Sequence, residues 1–198
     1  MKLYSNPASP FARKARVIIH ELSLPVEIVN INARDDEAYR RINPLKLIPA
    51  LVLDDGSVLI DSPVICEYLN QLGGGKFFPG MSIWRNHTGR WKALGLQALA
   101  DGVMDASVAW RYELVEPEER RNQSHIDRRR ATVIAGLDAF ERMNFAKLPT
   151  IGEIAVGCAL GYIDFRHGAL DWRSSHPKLA AWYETFSQYP SMKATAPQ

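Results

Sequence analysis

Near residue 78 the pattern of this sequence changes kind. Up to Leu72, strand-like and helix-like stretches alternate; from about Ile83 onward only helical periodicity remains. Between them lie Gly73-Gly74-Gly75 and Pro79-Gly80, residues that end regular elements. At 198 residues the chain holds one large domain or two small ones. The change of pattern selects two: an α/β domain over residues 1–74, a linker over 75–82 and an all-α helical bundle over 83–198.

The order of elements in the first part follows from periodicity and punctuation. Lys2 to Tyr4 is a short strand, broken by Asn6, Pro7, Ser9 and Pro10. Phe11, Ala15, Ile18, Ile19 and Leu22 then recur at helical spacing. Pro10 suits the first helical position and Ser9 the N-cap before it. Val26 to Ile31 is β-rich, a short polar helix covers Asp35 to Ile42, and Ala50–Leu53 and Ser57–Ile60 flank Asp54-Asp55-Gly56, a strong hairpin signal. A helix from Pro63 to Leu72 follows, capped by Asp61 or Ser62. The order is βαβαββα, with a parallel crossover first and an antiparallel hairpin last, hence a mixed four-stranded sheet. The second part reads as helices over 83–115, 117–144, 151–165 and 177–189. Thr150-Ile151-Gly152-Glu153 has the form of a capping box opening the third of these.

Composition excludes several classes. A formal net charge of +2 is too small to argue for nucleic acid or an anionic membrane. Arg128, Arg129 and Arg130 follow the acidic Glu116, Glu118 and Glu119 and read as a solvated helix face. Cys66 and Cys158 stand apart in apolar surroundings, as buried thiols rather than a disulfide. The five histidines lack metal-ligand spacing and read as surface or core filler, so no metal is expected. Met1 to Pro7 has no apolar run of the signal-peptide kind, and no stretch of about 18 apolar residues occurs; a reducing cytoplasm is the expected compartment.

Three local features can carry chemistry. Ser9 opens a helix, whose free amides and partial positive charge favour an anion; a thiol brought there would be driven toward its thiolate. The other reading of Ser9 is a cap and nothing more. Ile48-Pro49 precedes a strand. A trans bond in an ordinary loop is the default, whereas a cis bond would expose neighbouring backbone groups to an added extended peptide. Asp61-Ser62-Pro63 opens another helix, where amides, a hydroxyl and a carboxylate either cap the helix or hold a zwitterionic amino-acid group.

Taken in order, Ser9-Pro10-Phe11-Ala12-Arg13, Asn43-Pro44 with Ile48-Pro49-Ala50-Leu51, and Asp61-Ser62 resemble the N-terminal domain of the cytosolic glutathione transferase superfamily. The likeness is closest to bacterial members with Ser-Pro-Phe where omega-type members carry Cys-Pro-Phe. The helical remainder resembles that family's C-terminal domain, so the likeness spans essentially the whole chain. It implies a thioredoxin-like first domain and glutathione as co-substrate. It further implies conjugation of glutathione to a small hydrophobic electrophile, a detoxification chemistry, in a homodimer. By position, Ser9 would stabilise the glutathione thiolate. Ile48 would pair backbone groups with the cysteinyl residue beside cis-Pro49, and Asp61 and Ser62 would grip the γ-glutamyl end. Phe11, Val108, Trp110 and Tyr112 would face the electrophile.

One departure accompanies the likeness. Many relatives read Asn-Pro-x-Gly-Lys-Val/Ile-Pro, with the lysine on the glycine carboxylate of glutathione. Here Asn43-Pro44-Leu45-Lys46-Leu47-Ile48-Pro49 puts the lysine one place early, leaving Lys46 to reach that carboxylate. Serine at position 9 cannot form a mixed disulfide, which favours conjugation over thiol–disulfide exchange. Glutathione-dependent reduction of a disulfide or peroxide, and a non-catalytic interaction module of the same fold, are the alternatives.

Overall fold

The computed structural model describes residues 1–80 and 88–198. These form two compact units, Met1–Arg90 with Pro190–Gln198, and Trp91–Tyr189. Each has its own core.

In the first unit the strands β1 (Lys2–Ser5), β2 (Glu27–Asn30), β3 (Ala50–Val52) and β4 (Val58–Leu59) lie in the order β2-β1-β3-β4. β1 runs parallel to β2 and antiparallel to β3, and β3 runs antiparallel to β4. The parallel pair is joined by α1 (Pro10–Glu21), and α2 (Ser62–Leu72) follows the hairpin. Leu3 stands across from both Ile28 and Leu51; Leu3 and Leu51 are fully buried at the centre of the sheet, while Ile28 on the edge strand β2 is exposed. Against the sheet pack Ala12, Ala15 and Ile18 of α1 and Ile65, Cys66 and Leu69 of α2, all fully buried. The hairpin turn needs a left-handed residue, and Gly56 supplies it at φ 85°.

Two expectations are corrected here. The polar helix over 35–42 is only a single 3₁₀ turn, Ala38–Arg41. Its side chains give too narrow an apolar stripe for more: Tyr39 is the one buried residue, packed beside Ala33 and Ala50. The chain's end also returns to this unit as α8 (Pro190–Ala194), a helix that the sequence reading did not name in a stretch it assigned to the helical bundle. Pro190 starts a new helix after Gln188 and Tyr189. Buried Arg13 holds it, donating from Nη2 to the Met192 carbonyl at 2.9 Å and from Nε to Thr195 Oγ1 at 3.4 Å.

The regular elements of the second unit are all helices among the described residues. α3 spans Thr88–Val115, α4 Gln123–Glu141, α5 Ile151–Arg166, α6 Trp172–Ser175 and α7 Pro177–Phe186. The expected start of the first of these helices, 83–87, lies outside the described residues. α4 begins at Gln123 rather than Pro117, because Pro117 leads only a 3₁₀ turn and Asn122 provides the cap, accepting from the His125 N–H at 3.3 Å. α5 is the core: every residue from Ile151 to Ile163 is buried. The Thr150 hydroxyl accepts from Gly152 N–H, and the Glu153 carboxylate takes the N–H groups of Thr150 (2.8 Å) and Ala146 (3.0 Å). At α7 the cap comes from another helix. Glu141 of α4 accepts from Lys178 N–H and Leu179 N–H at 3.0 and 2.7 Å. Both cysteines are buried and neither is in a disulfide. Among the described residues no helix is long and apolar enough to cross a membrane, and no group of His, Cys, Asp and Glu could hold a metal ion.

Candidate functional site

The first unit gathers its polar features where β1, β3 and β4 lead into α1 and α2. Ser9 has extended backbone (φ −75°, ψ 121°) and caps α1, its hydroxyl accepting from Ala12 N–H at 3.2 Å. Pro10 follows at the helix start. The hydroxyl proton of Ser9 meets no acceptor among the described residues, so this half-buried group can accept from the helix and donate outward at once.

Ile48 lies just before β3, and the Ile48–Pro49 bond is cis. The backbone N–H and C=O of Ile48 have no hydrogen-bond partner among the described residues, whereas Ala50 onward is paired with β1. The preceding carbonyl, of Leu47, accepts twice, from Tyr39 Oη and Asn43 Nδ2, each at 2.8 Å. Burial pushes the Tyr39 phenol up to about 12, so it stays a donor at any ordinary pH. The loop is therefore tied down on one side and leaves an open backbone edge on the other.

Asp61 caps α2, with its carboxylate accepting from Ser62 N–H; the Ile60–Asp61 bond is also cis. Asp61 is exposed. Ser62 is fully buried, and its Oγ has no partner among the described residues. A buried hydroxyl left alone costs roughly 1–3 kcal/mol, which a bound carboxylate would recover.

Lys46 stands in the slot that relatives of the resembling family fill with glycine, and it has a left-handed backbone, φ 52°. Its ammonium donates to the Arg34 carbonyl and to Glu37 Oε1, both at 2.7 Å. Hydrogen bonds from Lys46 and Arg40 hold the Glu37 carboxyl below its usual range. Two of the three ammonium protons are thus committed to this anchor. Leu47 is 62% exposed.

Of the apolar residues, Phe11 is half-buried near α1's start, with Lys14 Nζ 5.9 Å from its ring centre. Val108 and Tyr112 are four apart on α3 and share a face; Trp110, about 200° around the helix from each, lies on another. Tyr112 is 43% exposed and Trp110 only 8%, stacked on His167 with ring centres 3.9 Å apart and planes within 8°. The structure thus separates Trp110 from the other two. Sequence reading passed over the surroundings of Trp110: Arg130 comes from one stretch and the adjacent Arg166 and His167 from another, and no spacing rule links them to Trp110. It also passed over Glu37 as the partner of Lys46.

Residues 3–77 match the family described as Glutathione S-transferase, N-terminal domain, and residues 123–185 the family Glutathione S-transferase, C-terminal domain. The chain is 30% identical over 203 residues to the GST-like protein YibF of Escherichia coli (strain K12), covering 100% of this chain and 98% of that protein. Among solved structures, a glutathione transferase family member from Pseudomonas fluorescens Pf-5 with bound glutathione has TM-score 0.89 and 44% identity, covering 100% of this chain and 98% of that one. A glutathione S-transferase from Methylobacillus flagellatus KT with glutathione bound has TM-score 0.88 and 36% identity, covering 100% and 99%.

Proposed function

This chain belongs to the glutathione transferase family, and on that premise we propose that it binds reduced glutathione in its first unit and conjugates the thiolate to a small hydrophobic electrophile. The observation that carries the reading is the open backbone edge at Ile48. An extended cysteinyl residue laid along it gains two main-chain hydrogen bonds as an added strand. The buried Ser62 hydroxyl, together with the amides that open α2, suits the carboxylate of the γ-glutamyl group, and the exposed Asp61 suits its ammonium. Relatives of 44% and 36% identity crystallised with glutathione support the same reading.

In the reaction, the glutathione thiol loses its proton to solvent or buffer. The thiolate takes a hydrogen bond from Ser9 Oγ, while the first amides of α1 add their partial positive charge. Lowering the thiol pKa by about 2 units represents roughly 2.7 kcal/mol of stabilisation. The sulfur lone pair then forms the new C–S bond, and the electrophile's displaced electron pair leaves with its leaving group or moves onto an adjacent acceptor atom. Holding thiolate and electrophile together supplies the remainder of the rate. Phe11, near the start of α1, is the side chain of the first unit proposed to meet the electrophile.

The test is conjugating activity toward a panel of electrophiles, with glutathione varied. Ser9→Ala removes one charge-assisted hydrogen bond of about 1.5–3 kcal/mol, so kcat/KM falls about 10- to 100-fold. Undiminished activity in that variant removes Ser9 from the mechanism. Oxidised glutathione as the sole product makes the protein a reductase instead.

A further inference from the structure

Within the helical unit, the C-terminal half of α3, the first half of α4, the end of α5 and the residues just after it line an open pocket of about 300 Å³. Trp110, Leu114, Arg130, Arg166, His167 and Leu170 form its walls. Three facts about these side chains point the same way. First, Trp110 is 92% buried, and its Nε1 has no acceptor among the described residues. Buried indole N–H groups ordinarily find one.

Second, neither Arg130 nor Arg166 has a carboxylate partner among the described residues. Other arginines here do: Arg173 grips Asp164 at 2.7 and 2.6 Å through two parallel bonds, and Arg90 and Arg40 pair with Glu67 and Glu37. The Arg166 guanidinium is instead stacked 3.9 Å from the centre of the Phe165 ring, which orients the fork without neutralising it.

Third, the field around His167 is uncompensated. Burial lowers its pKa, the Ser107 carbonyl opposes this, and the cations Arg111 and Arg166 lower it further; no carboxylate figures among these influences. The imidazole is neutral near pH 7 and donates from Nε2 to the Ser107 carbonyl at 2.9 Å.

We propose that this pocket binds a small dianionic oxyanion, a phosphomonoester or a dicarboxylate, between the guanidinium groups of Arg130 and Arg166, with its organic body against Leu114 and Leu170. Planar guanidinium forks match the oxygen edges of both groups, and two of them balance a charge of two. The site shares no residue with Ser9, Ile48, Asp61 or Ser62, and it does not depend on the transferase reading.

Phenyl phosphate is the probe, titrated calorimetrically into the full chain at low ionic strength. Saturable binding is expected, weakened about ten-fold in Arg130→Gln and in Arg166→Gln and lost in the double variant. Thermal midpoints and glutathione affinity stay at parental values in each single variant, which separates loss of the site from loss of the fold. Neutral benzyl alcohol does not bind. Competition by phthalate assigns the site to both oxyanion classes, and its absence restricts it to phosphomonoesters. No saturable binding to the parent overturns the proposal. So does equal binding by the single variants, or displacement of phenyl phosphate by S-hexylglutathione.

Discussion

Lys46 shows how one position can alter a site without dismantling it. A left-handed residue with a side chain costs roughly 1 kcal/mol relative to glycine. Here the side chain is anchored by Glu37 and the Arg34 carbonyl, and the neighbouring Leu47 points out to solvent. On the proposed reading, the glycine carboxylate of glutathione would lack the full cation that the usual motif offers it. Placing a cation at the exposed position should restore it. Leu47→Lys is expected to tighten glutathione binding several-fold, about 1 kcal/mol, by calorimetry; unchanged or weaker binding would mean that this slot does not face the ligand. Ser9 and Asp61 were legible as positions because they act as helix caps, and caps leave a local signature; Ser62 follows directly on the second cap. The open edge at Ile48 was only half legible. Sequence can place a proline before a strand, but whether the next backbone groups are paired depends on Tyr39 and Asn43 occupying Leu47 instead.

At the scale of elements, α5 and its surroundings carry two predictions. Gly152 sits in the first turn of α5, where an added Cβ would lie 2.9 Å from the Ala93 carbonyl oxygen and 2.8 Å from Leu96 Cβ. Neither neighbour is the free end of a flexible chain. Gly152→Ala should therefore destabilise the fold by about 1–3 kcal/mol in urea or thermal unfolding, although alanine is the better helix former. A neutral result would mean that α3 and α5 can separate at that crossing. The other prediction concerns His167, whose pKa in the fold lies below its ordinary 6.5, first through burial. Above about pH 6.5 both folded and unfolded chains hold a neutral imidazole; below it the unfolded chain takes up a proton first, so stability falls as pH falls. The urea midpoint should drop between about pH 7 and about pH 5, and His167→Phe should blunt that drop. An equal drop in the variant would place the effect elsewhere. The capping box at Thr150 was readable as a four-residue pattern, but the cap of α7 by Glu141 was not, because its two halves are 37 residues apart in sequence. The missing helix over 35–42 has a related cause: tertiary burial of one ring, Tyr39, outweighed a weak local preference.

For the molecule as a whole, the change of pattern near residue 78 announced two kinds of structure, and alternation against pure helical periodicity was enough to name them. What periodicity could not supply was the return of Pro190–Gln198 to the first unit, which rests on buried Arg13 reaching across 179 residues to the Met192 carbonyl. Family membership gives this architecture a ligand in relatives. The central claim here is that the first unit, with its departure at Lys46-Leu47, still holds that ligand. Calorimetric titration of the purified full chain with reduced glutathione near neutral pH tests it most directly. Saturable binding of one glutathione per chain, at micromolar to millimolar concentration and weakened in Ser62→Ala, is the predicted result. The absence of saturable heat over that range would contradict the account and leave a glutathione transferase fold without its glutathione.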